Sequence, residues 1–298
     1  MHNILVTGAN GQLGKKIHDE SSEFSDFKFI YTDFEELDIS NPKQIEQFFS
    51  DHTIDLVINC GAYTNVDGAE QNREAAGLLN AEAPKFLADA CQKHEAYFIH
   101  ISTDYVFGSS NQNTPFKETD VISPNSIYGK TKAKGEEYLK SYNNTLVIRT
   151  AWLYSEYGNN FMKTMLRLGT ERDTLAVVFD QISTPTYAGD LANAVLLIAK
   201  ILLKKKRETT FEILHFSNEG VCSWYDFTYE IFKHEKINCS LHPIRSSEYP
   251  TPAPRPPYSV LDKSLIKEKY NIQIPYFKES LYLCLRNLNK KTTNALHH

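Results

Sequence analysis

Short apolar segments alternate along the chain with stretches whose apolar residues recur every three or four positions. The apolar segments have the length of strands and cover residues 3–7, 27–31, 54–60, 97–102, 145–149 and 175–179. Helical spacing lies between and after them, at residues 41–51, 84–93, 126–141, 158–169 and 191–203. Strands that alternate with helices in this way predict an α/β fold with a parallel sheet and right-handed crossovers.

A glycine-rich turn follows the first predicted strand directly, in the sequence GANGQLG of residues 8–14. Gly8 permits a tight turn, Gly11 allows a pyrophosphate to approach the backbone, and Gly14 lets the next helix pack closely on the sheet. The start of that helix offers N–H groups and a partial positive charge to phosphates. The turn therefore predicts a dinucleotide site, with contacts from Gly8, Asn10, Gly11, Gln12, Leu13 and Gly14.

Polar or small residues stand at the carboxyl ends of the next strands, where ligands of parallel sheets bind. Asp33 lies 25 residues after Gly8, where a carboxylate accepts hydrogen bonds from an adenosine ribose and repels a 2′-phosphate. We therefore expect NADH rather than NADPH, with either form still open, and place Asp38 and Ile39 near the adenine. The remaining predicted cofactor contacts are Asp33, Cys60, Gly61, Ala62, Tyr63, Thr64, Ser102, Tyr128 and Lys132.

Tyr128 and Lys132 stand four residues apart in a predicted helix, so both side chains lie on one face, about 6 Å apart along the axis. A tyrosine with a pKa of roughly 10 needs a neighbouring cation to exchange protons near neutrality. This spacing is also common on surface helices, so it indicates catalysis only together with its context. The context is the glycine turn and Thr103, which ends a predicted strand of the same sheet.

These patterns together predict a Rossmann-type doubly wound parallel sheet with a smaller, interleaved C-terminal substrate-binding domain. Residues 1–150 would form the NAD(P)-binding domain, to which residues of about 158–180 would return. Residues 151–298 would mainly form the substrate domain. A chain of 298 residues is long enough for a large buried core.

Composition excludes several classes of protein. A net charge of −5 argues against a nucleic-acid partner, because such proteins usually present a basic face. The longest apolar helix is too short to span a bilayer, and no signal peptide precedes the first strand, so we expect a cytoplasmic protein without a membrane partner. Five scattered cysteines suit reduced thiols, and the ten histidines show no metal-binding spacing, so we expect no catalytic metal.

The chain resembles the extended short-chain dehydrogenase/reductases, and within them the dTDP-4-dehydrorhamnose reductase family. Matching blocks extend over nearly the whole length, and the last one separates this family from epimerases and dehydratases. Gly61, where alanine is usual, and Ser183, where glycine is frequent, depart from the pattern. The blocks are residues 8–14, 37–39, 59–67, 102–107, 124–132, 149–152, 160–161, 180–181, 184–186 and 249–262.

The resemblance implies an NAD(P)H-dependent reduction of the 4-keto group of dTDP-4-dehydro-L-rhamnose to dTDP-L-rhamnose, a step of dTDP-rhamnose biosynthesis for cell-surface polysaccharide. Tyr128 would protonate the alkoxide that forms, and Thr103 would donate a hydrogen bond to the same oxygen. Lys132 would hold the hydroxyls of the nicotinamide ribose and lower the pKa of Tyr128.

The resemblance also implies contacts to the dTDP-sugar. Asp104 would bind sugar hydroxyls, Trp152 would form a wall of the pocket, and Asn160, Phe161 and Arg255 would lie at the nucleotide-sugar end. Arg255 belongs to the proline-rich segment 249–257, which we interpret as a binding loop rather than a linker. On residue chemistry alone, core packing or a surface ion pair explains Trp152, Asn160, Phe161 and Arg255 equally well.

Three alternatives stay open. A reductase acting on another nucleotide 4-keto sugar would share all of these residues. An epimerase or 4,6-dehydratase would share the fold and the Tyr–Lys pair but would retain its cofactor and need no external reductant. A non-catalytic regulator of the same fold, like the regulatory subunit of methionine adenosyltransferase, would need no Tyr–Lys–Thr set. The sequence also leaves open a homodimer and a Mg²⁺ ion bridging its subunits.

Overall fold

The computed structural model of the protein describes residues 1–109, 112–205 and 210–295. Its strands are β1 (His2–Thr7), β2 (Phe27–Thr32), β3 (Leu56–Asn59), β4 (Tyr97–Thr103), β5 (Thr145–Thr150), β6 (Leu153–Tyr154), β7 (Thr174–Val178), β8 (Ile182–Ser183), β9 (Thr186–Tyr187), β10 (Glu212–His215), β11 (Cys222–Ser223) and β12 (Ser240–Ile244). Its α-helices are α1 (Gln12–Glu20), α2 (Pro42–Asp51), α3 (Val66–Gln71), α4 (Arg73–Gly77), α5 (Ala83–Lys93), α6 (Ile127–Leu139), α7 (Phe161–Glu171), α8 (Ala188–Lys205), α9 (Trp224–Glu235), α10 (Ser264–Tyr270) and α11 (Phe277–Ala295).

Six parallel strands form the central sheet, in the order β10-β5-β4-β3-β1-β2. The chain runs outward from β1 to β2 and then crosses to β3 on the other side of β1. The strand order therefore reverses between β1 and β3, and the crevice at such a reversal is where open α/β sheets bind ligands.

Alternating side chains of the strands fill two apolar layers, one on each face of the sheet. Ile4 and Val6 of β1 belong to the layer formed with α1, α8 and α10, whereas Leu5 belongs to the layer formed with α2 and α5. This alternation is the period of two that a strand imposes on its side chains. The predicted doubly wound parallel sheet is confirmed.

A third apolar cluster builds a separate C-terminal lobe from α7, β7, α9, β12 and α11. Here the structure differs from the expected domain division, because residues 158–180 pack into this lobe and do not return to the sheet. The segment that returns is α8 with β10: α8 packs on α1, and β10 pairs with β5 as the sixth strand. The pairing partner of a four-residue strand is decided by tertiary contacts that local sequence does not encode.

Five of the predicted strands are in the central sheet, and their ends differ from the predicted ones by one or two residues. Residues 180–190 contain the two-residue strands β8 and β9 and the start of α8. β8 pairs with β11 and β9 pairs with β6, so these short strands join the C-terminal lobe to the end of β5.

Candidate active site

A cleft of about 750 Å³ opens at the carboxyl ends of β1, β3 and β4, on the side of the C-terminal lobe. Most residues predicted to bind a cofactor or a substrate line it. They are Gly8, Asn10, Gly11, Gln12, Leu13, Asp33, Asp38, Ile39, Cys60, Gly61, Ala62, Thr64, Ser102, Thr103, Asp104, Tyr128, Lys132, Trp152 and Asn160. Gly14, Tyr63, Phe161 and Arg255 do not line the cleft.

The glycine turn brings bare backbone to the floor of the cleft. Gly8 has a φ of 64°, and a Cβ there would lie 2.6 Å from the backbone nitrogen of Gly61 on the neighbouring strand end. Gly11 is the N-cap of α1, and as a glycine it has no side chain to cap the helix. The N–H groups of the first helical turn are therefore left for an anionic ligand. Gly14 supports this floor from behind, because a Cβ there would lie 2.5 Å from the Cα of Ala9.

Asp33 lies beside the glycine turn at the end of β2. Its Oδ2 accepts a hydrogen bond from the backbone nitrogen of Asn10 at 2.8 Å, and its Oδ1 accepts one from that of Phe34 at 2.9 Å. The carboxylate is therefore fixed at the rim of the cleft. Among the described residues that line the cleft, Lys132 is the single lysine or arginine.

Thr103 and Tyr128 both line the cleft and come from two different elements. Thr103 ends β4 and begins the short 3₁₀ helix Asp104–Phe107, where its Oγ1 accepts a hydrogen bond from the backbone nitrogen of Tyr105 at 3.2 Å. Ser126 caps α6 by accepting from the nitrogen of Gly129, which places Tyr128 in the first turn of that helix. Burial raises the pKa of Tyr128, and a hydrogen bond with Thr103 lowers it in part.

Lys132 is 1% exposed, so the reading of the Tyr–Lys spacing as a surface helix does not apply. Its Nζ donates to the backbone oxygen of Ile101 at 2.6 Å and lies 3.1 Å from Nε2 of His100. Burial raises the pKa of Tyr128 in this structure, and the expectation that Lys132 lowers it stays a prediction. Burial lowers the pKa of Lys132 itself to about 8.

Asp104 is 2% exposed, and both of its carboxylate oxygens have partners within the protein. Thr103 Oγ1 donates to Oδ1 at 3.1 Å, and Ser259 Oγ donates to Oδ2 at 2.5 Å. Burial raises the pKa of Asp104 to about 6, against the lowering effect of these hydrogen bonds. Asp104 therefore accepts from Thr103 and ties β4 to the segment around Ser259; it also lines the cleft, and its contact with sugar hydroxyls stays a prediction.

Two tryptophans form the wall of the cleft on the side of the C-terminal lobe. Trp152 has a φ of 46°, an uncommon conformation for a bulky residue, and its ring stacks on that of Trp224 with centroids 3.4 Å apart. Phe161 packs behind them, with its ring centroid 4.3 Å from that of Trp224. The predicted wall at Trp152 agrees with the structure, whereas Phe161 supports that wall from outside the cleft.

Asn160 joins the lobe to the glycine turn. Its Nδ2 donates to Oε1 of Gln12 at 2.9 Å and to the backbone oxygen of Ser155 at 2.8 Å. Its Oδ1 accepts from the backbone nitrogen of Lys163 and so caps α7. The side chain expected to bind a nucleotide sugar therefore has its donors and its acceptor engaged in holding the two sides of the cleft together.

Arg255 reaches the cleft through another residue. Its Nη1 donates to the hydroxyl of Tyr105 at 3.2 Å, and its Nη2 pairs with Asp67 at 2.7 Å. The Tyr105 ring stands edge-on to that of Tyr128, with centroids 5.4 Å apart. Because Ala253 also donates to Asp67, the proline-rich segment docks on α3 rather than linking two bodies. Arg255 thus orients a residue of the cleft that the sequence reading missed.

Tyr63, like Gly14, Phe161 and Arg255, does not line the cleft. Its backbone nitrogen donates to Oδ1 of Asn80, and Nδ2 of Asn80 donates back to its backbone oxygen at 3.1 Å. This pair fixes the loop after β3, whose other residues Ala62 and Thr64 line the cleft.

Twelve of the described lining residues were not predicted. Tyr105 and Trp224 carried a signal, because an aromatic next to Thr103-Asp104 and a tryptophan at the start of a capped helix are both visible in the sequence. The others are mostly apolar or small and carry no chemical signature. They are Phe34, Leu37, Val66, Leu79, Ile101, Thr150, Ala151, Leu153, Gly158 and Asn159.

Within residues 1–109, 112–205 and 210–295, no cluster of three or more histidine, cysteine or acidic side chains could hold a metal ion. No helix in the same ranges is both long enough and apolar enough to cross a bilayer.

Comparison with known proteins adds a family to this geometry. The sequence model of the family described as "RmlD substrate binding domain" matches residues 1–290. The chain is 39% identical to a dTDP-4-dehydrorhamnose reductase of Aggregatibacter actinomycetemcomitans, over 92% of this chain and 95% of that protein. It is 36% identical to a Streptomyces antibioticus protein named as a probable dTDP-4,6-dihydroxy-2-methyloxan-3-one 4-ketoreductase, over 86% and 85%.

A solved structure has the same fold. The dTDP-4-dehydrorhamnose reductase of Bacillus anthracis, determined in complex with NADP, is 36% identical and superposes with a TM-score of 0.88 over 96% of this chain and 99% of that one. The glycine turn, the pairing of Thr103 with Tyr128 and the match over nearly the full length all point to the same family. The chain belongs to the dTDP-4-dehydrorhamnose reductase family, whose sequence model is the RmlD substrate binding domain.

Proposed function

We propose that this protein uses a reduced nicotinamide dinucleotide to reduce the 4-keto group of dTDP-4-dehydro-L-rhamnose, giving dTDP-L-rhamnose. The observation that carries the proposal is the meeting of Thr103 and Tyr128 in one cleft with the glycine turn. Two hydroxyl groups held by a strand end and a capped helix can address a single ketone oxygen. The cleft of about 750 Å³ is within the usual size of ligand-binding clefts, roughly 300–1,000 Å³.

The residues present fit a dinucleotide. The backbone floor at Gly8 has no space for a side chain, because a Cβ there would meet the backbone of Gly61, and the uncapped start of α1 provides N–H groups for a pyrophosphate. Asp33 lies where a ribose would bind, and Asp38 and Ile39 lie along the same side of the cleft. When bound, the reduced nicotinamide supplies a hydride to the carbon of the ketone.

The protein supplies the proton and the electrostatic stabilisation. Tyr128 donates its phenolic proton to the alkoxide oxygen, which needs the tyrosine protonated, as its raised pKa ensures. The Thr103 hydroxyl donates a hydrogen bond to the same oxygen. To do so, its proton turns from Asp104, to which it donates in this structure, toward the alkoxide. Lys132, in its ammonium form, stabilises the phenolate that Tyr128 leaves behind and binds ribose hydroxyls.

We assign the nucleotide-binding role to the six-stranded sheet and its helices, and the sugar-nucleotide role to the C-terminal lobe. The stacked tryptophans Trp152 and Trp224 give the lobe a flat apolar wall on which a ring can pack. Arg255 orients Tyr105, which lines the cleft beside Asp104.

Asp33 supports NADH as the preferred reductant. Its fixed carboxylate would repel a 2′-phosphate, and among the described lining residues Lys132 is the single lysine or arginine available to offset that repulsion. The relative from Bacillus anthracis was solved with NADP, so the preference is a property of this chain to be measured. We expect a higher kcat/KM with NADH than with NADPH. A higher value with NADPH would overturn this preference.

Consumption of the reductant tests the function itself. The purified protein is mixed with NADH and dTDP-4-dehydro-L-rhamnose made in situ, and the loss of NADH absorbance is followed together with the appearance of dTDP-L-rhamnose. We expect equal amounts of both. Formation of a new sugar nucleotide without loss of reductant would instead indicate an epimerase, and no turnover would exclude this substrate.

A second candidate is the reduction of another nucleotide 4-keto sugar. The Streptomyces antibioticus relative, named as a 4-ketoreductase of a different dTDP-sugar, favours this alternative. Parallel assays with dTDP-4-dehydro-L-rhamnose and its 4-keto analogues decide between them through kcat/KM. We expect the rhamnose precursor to have the highest value.

A further inference from the structure

A buried chain of polar groups runs behind the cleft from α6 to β1. Nζ of Lys132 lies 3.1 Å from Nε2 of His100, and Nδ1 of His100 lies 3.0 Å from Nδ2 of Asn59. Oδ1 of Asn59 accepts from Oγ1 of Thr7 at 2.7 Å and from the backbone nitrogen of Gly61 at 3.1 Å. The four side chains are at most 1% exposed.

The direction of each hydrogen bond in this chain follows from Gly61. Its backbone N–H can only donate, so the amide atom of Asn59 that faces it must be the oxygen. The amide nitrogen of Asn59 therefore faces His100 and donates to Nδ1, which must be without a proton. Burial holds the pKa of His100 well below its ordinary value, so the ring is neutral. Its one proton is then on Nε2, which points at Lys132.

Two donors would face each other if Lys132 were an ammonium, because that group has three N–H donors and no acceptor. The neutral amine has a lone pair, so it can accept from Nε2 of His100 and still donate to the backbone oxygen of Ile101. Glu136, one turn further along α6, favours the ammonium, but its carboxylate is already paired with Arg149 and accepts from Ser102. Burial lowers the pKa of Lys132 to about 8, in agreement with this arrangement.

A second buried histidine has the opposite arrangement. Nδ1 of His215 lies 3.1 Å from the backbone oxygen of Phe116, which can only accept, so this nitrogen has the proton. Its Nε2 faces Nη1 of Arg149 at 3.3 Å and accepts from that guanidinium. Arginine is always charged in proteins, and the tautomer of His215 suits a cation. His100 has the other tautomer, whose Nε2–H does not suit a neighbouring cation.

We propose that His100 is a positioning residue whose Nε2–H donates to Nζ of Lys132, so that it stabilises the neutral amine and sets the pH at which Lys132 takes up a proton. Hydrogen bonding to the neutral form of a base disfavours its charged form. The consequence for catalysis rests on the proposed function, in which Lys132 acts as an ammonium. Turnover then falls as the pH rises through the pKa of Lys132, and His100 decides where that fall occurs.

Nuclear magnetic resonance of protein labelled with ¹⁵N-histidine tests the tautomer without any substrate or cofactor. Ring nitrogen shifts distinguish a protonated from a bare nitrogen. We expect His100 to be protonated on Nε2 and His215 on Nδ1, with a change in the His100 signal near pH 8 as Lys132 titrates. His100→Gln assigns the signal, and Lys132→Met assigns it independently if the first variant does not fold. Protonation of His100 on Nδ1, or on both nitrogens, would overturn the proposal.

The pH dependence of kcat/KM gives a second reading, with His215→Gln as the matched control. A glutamine at position 100 can present an oxygen to Lys132 and so favours its ammonium. We expect the alkaline fall in kcat/KM to move upward by about one pH unit in His100→Gln and to stay in place in His215→Gln. An unmoved fall in His100→Gln contradicts the proposal. Absence of all turnover in the unchanged protein would contradict the proposed function instead and would leave the tautomer measurement decisive for His100.

Discussion

The two sides of the cleft are built differently. The sheet-side wall, formed by Thr103, Tyr128 and Lys132, comes from a strand end and a capped helix, and all three residues line the cleft. The lobe-side wall, formed by Trp152, Asn160 and Trp224, consists of side chains already engaged with one another or with Gln12. We infer that the sheet side performs the chemistry, whereas the lobe side shapes the space for the substrate.

The largest expected effect is at Tyr128 on the sheet side. Tyr128→Phe removes the proton donor and leaves the ring, so kcat should fall by about a thousandfold or more while the dissociation constant of the cofactor stays within a few-fold. Steady-state kinetics and cofactor titration measure both quantities. Tyr97→Phe, at the opposite end of β4, is the matched control and should retain its kcat. Substantial remaining activity in Tyr128→Phe would show that another group donates the proton.

Thr103→Val should lower kcat by roughly a hundredfold, because one hydrogen-bond donor to the developing oxyanion is lost. Thr103→Ser keeps the hydroxyl and should recover most of that loss. Thr150→Val is the control on the next strand: Thr150 also lines the cleft, but its hydroxyl donates to that of Thr186. Equal losses in Thr103→Val and Thr150→Val would mean that Thr103 acts only through packing.

Asp104 links the sheet side to the segment around Ser259, and its charge should cost stability at neutral pH. Its pKa in the folded protein, about 6, lies above the ordinary value of 3.8. The stabilisation from the protonated form is therefore complete below about pH 4 and is lost as the pH rises through 6. Relative to Asp104→Asn, the free energy of unfolding of the unchanged protein should fall by on the order of 2 kcal/mol across that range. Denaturant titrations at pH 4 and pH 7 measure this difference, and a constant difference would refute the raised pKa.

The smallest of these effects is expected at Arg255 in the proline-rich segment. Arg255→Ala removes the hydrogen bond to Tyr105 and the ion pair with Asp67, so KM for the sugar nucleotide should rise by about tenfold with little change in kcat. Arg167→Ala, which breaks an exposed ion pair with Glu171, should change neither. A fall in kcat as large as that of Thr103→Val would erase the distinction between the two sides.

The same contrast explains what the sequence could predict. Strand ends, glycine spacing and the Tyr–Lys interval are local patterns, and the parallel sheet brings them to one edge, so nearly all predicted contacts on the sheet side line the cleft. Residues 158–180 were assigned to the wrong domain, and β10 was not predicted. Which segment pairs with β5 depends on contacts between distant parts of the chain.

The roles of several polar side chains could also not be predicted from the sequence. Asn160 and Arg255 are polar residues that look suited to a ligand, but only the folded structure shows that their donors are taken by Gln12, Tyr105 and Asp67. His100 shows the reverse case: it is a histidine within an apolar strand, and its importance appears only from its partners Asn59 and Lys132.

Transfer of deuterium tests most directly whether the protein delivers hydride from the reduced cofactor to the ketone of the sugar. The protein is supplied with NADH that is deuterated at the reactive position of the nicotinamide ring and with dTDP-4-dehydro-L-rhamnose, and the product is examined by mass spectrometry and proton magnetic resonance. We expect one deuterium at C4 of the sugar in dTDP-L-rhamnose for each NADH consumed, and formation of this product about a thousandfold more slowly by Tyr128→Phe. A product without deuterium at C4, or one formed while the NADH remains intact, would contradict the account.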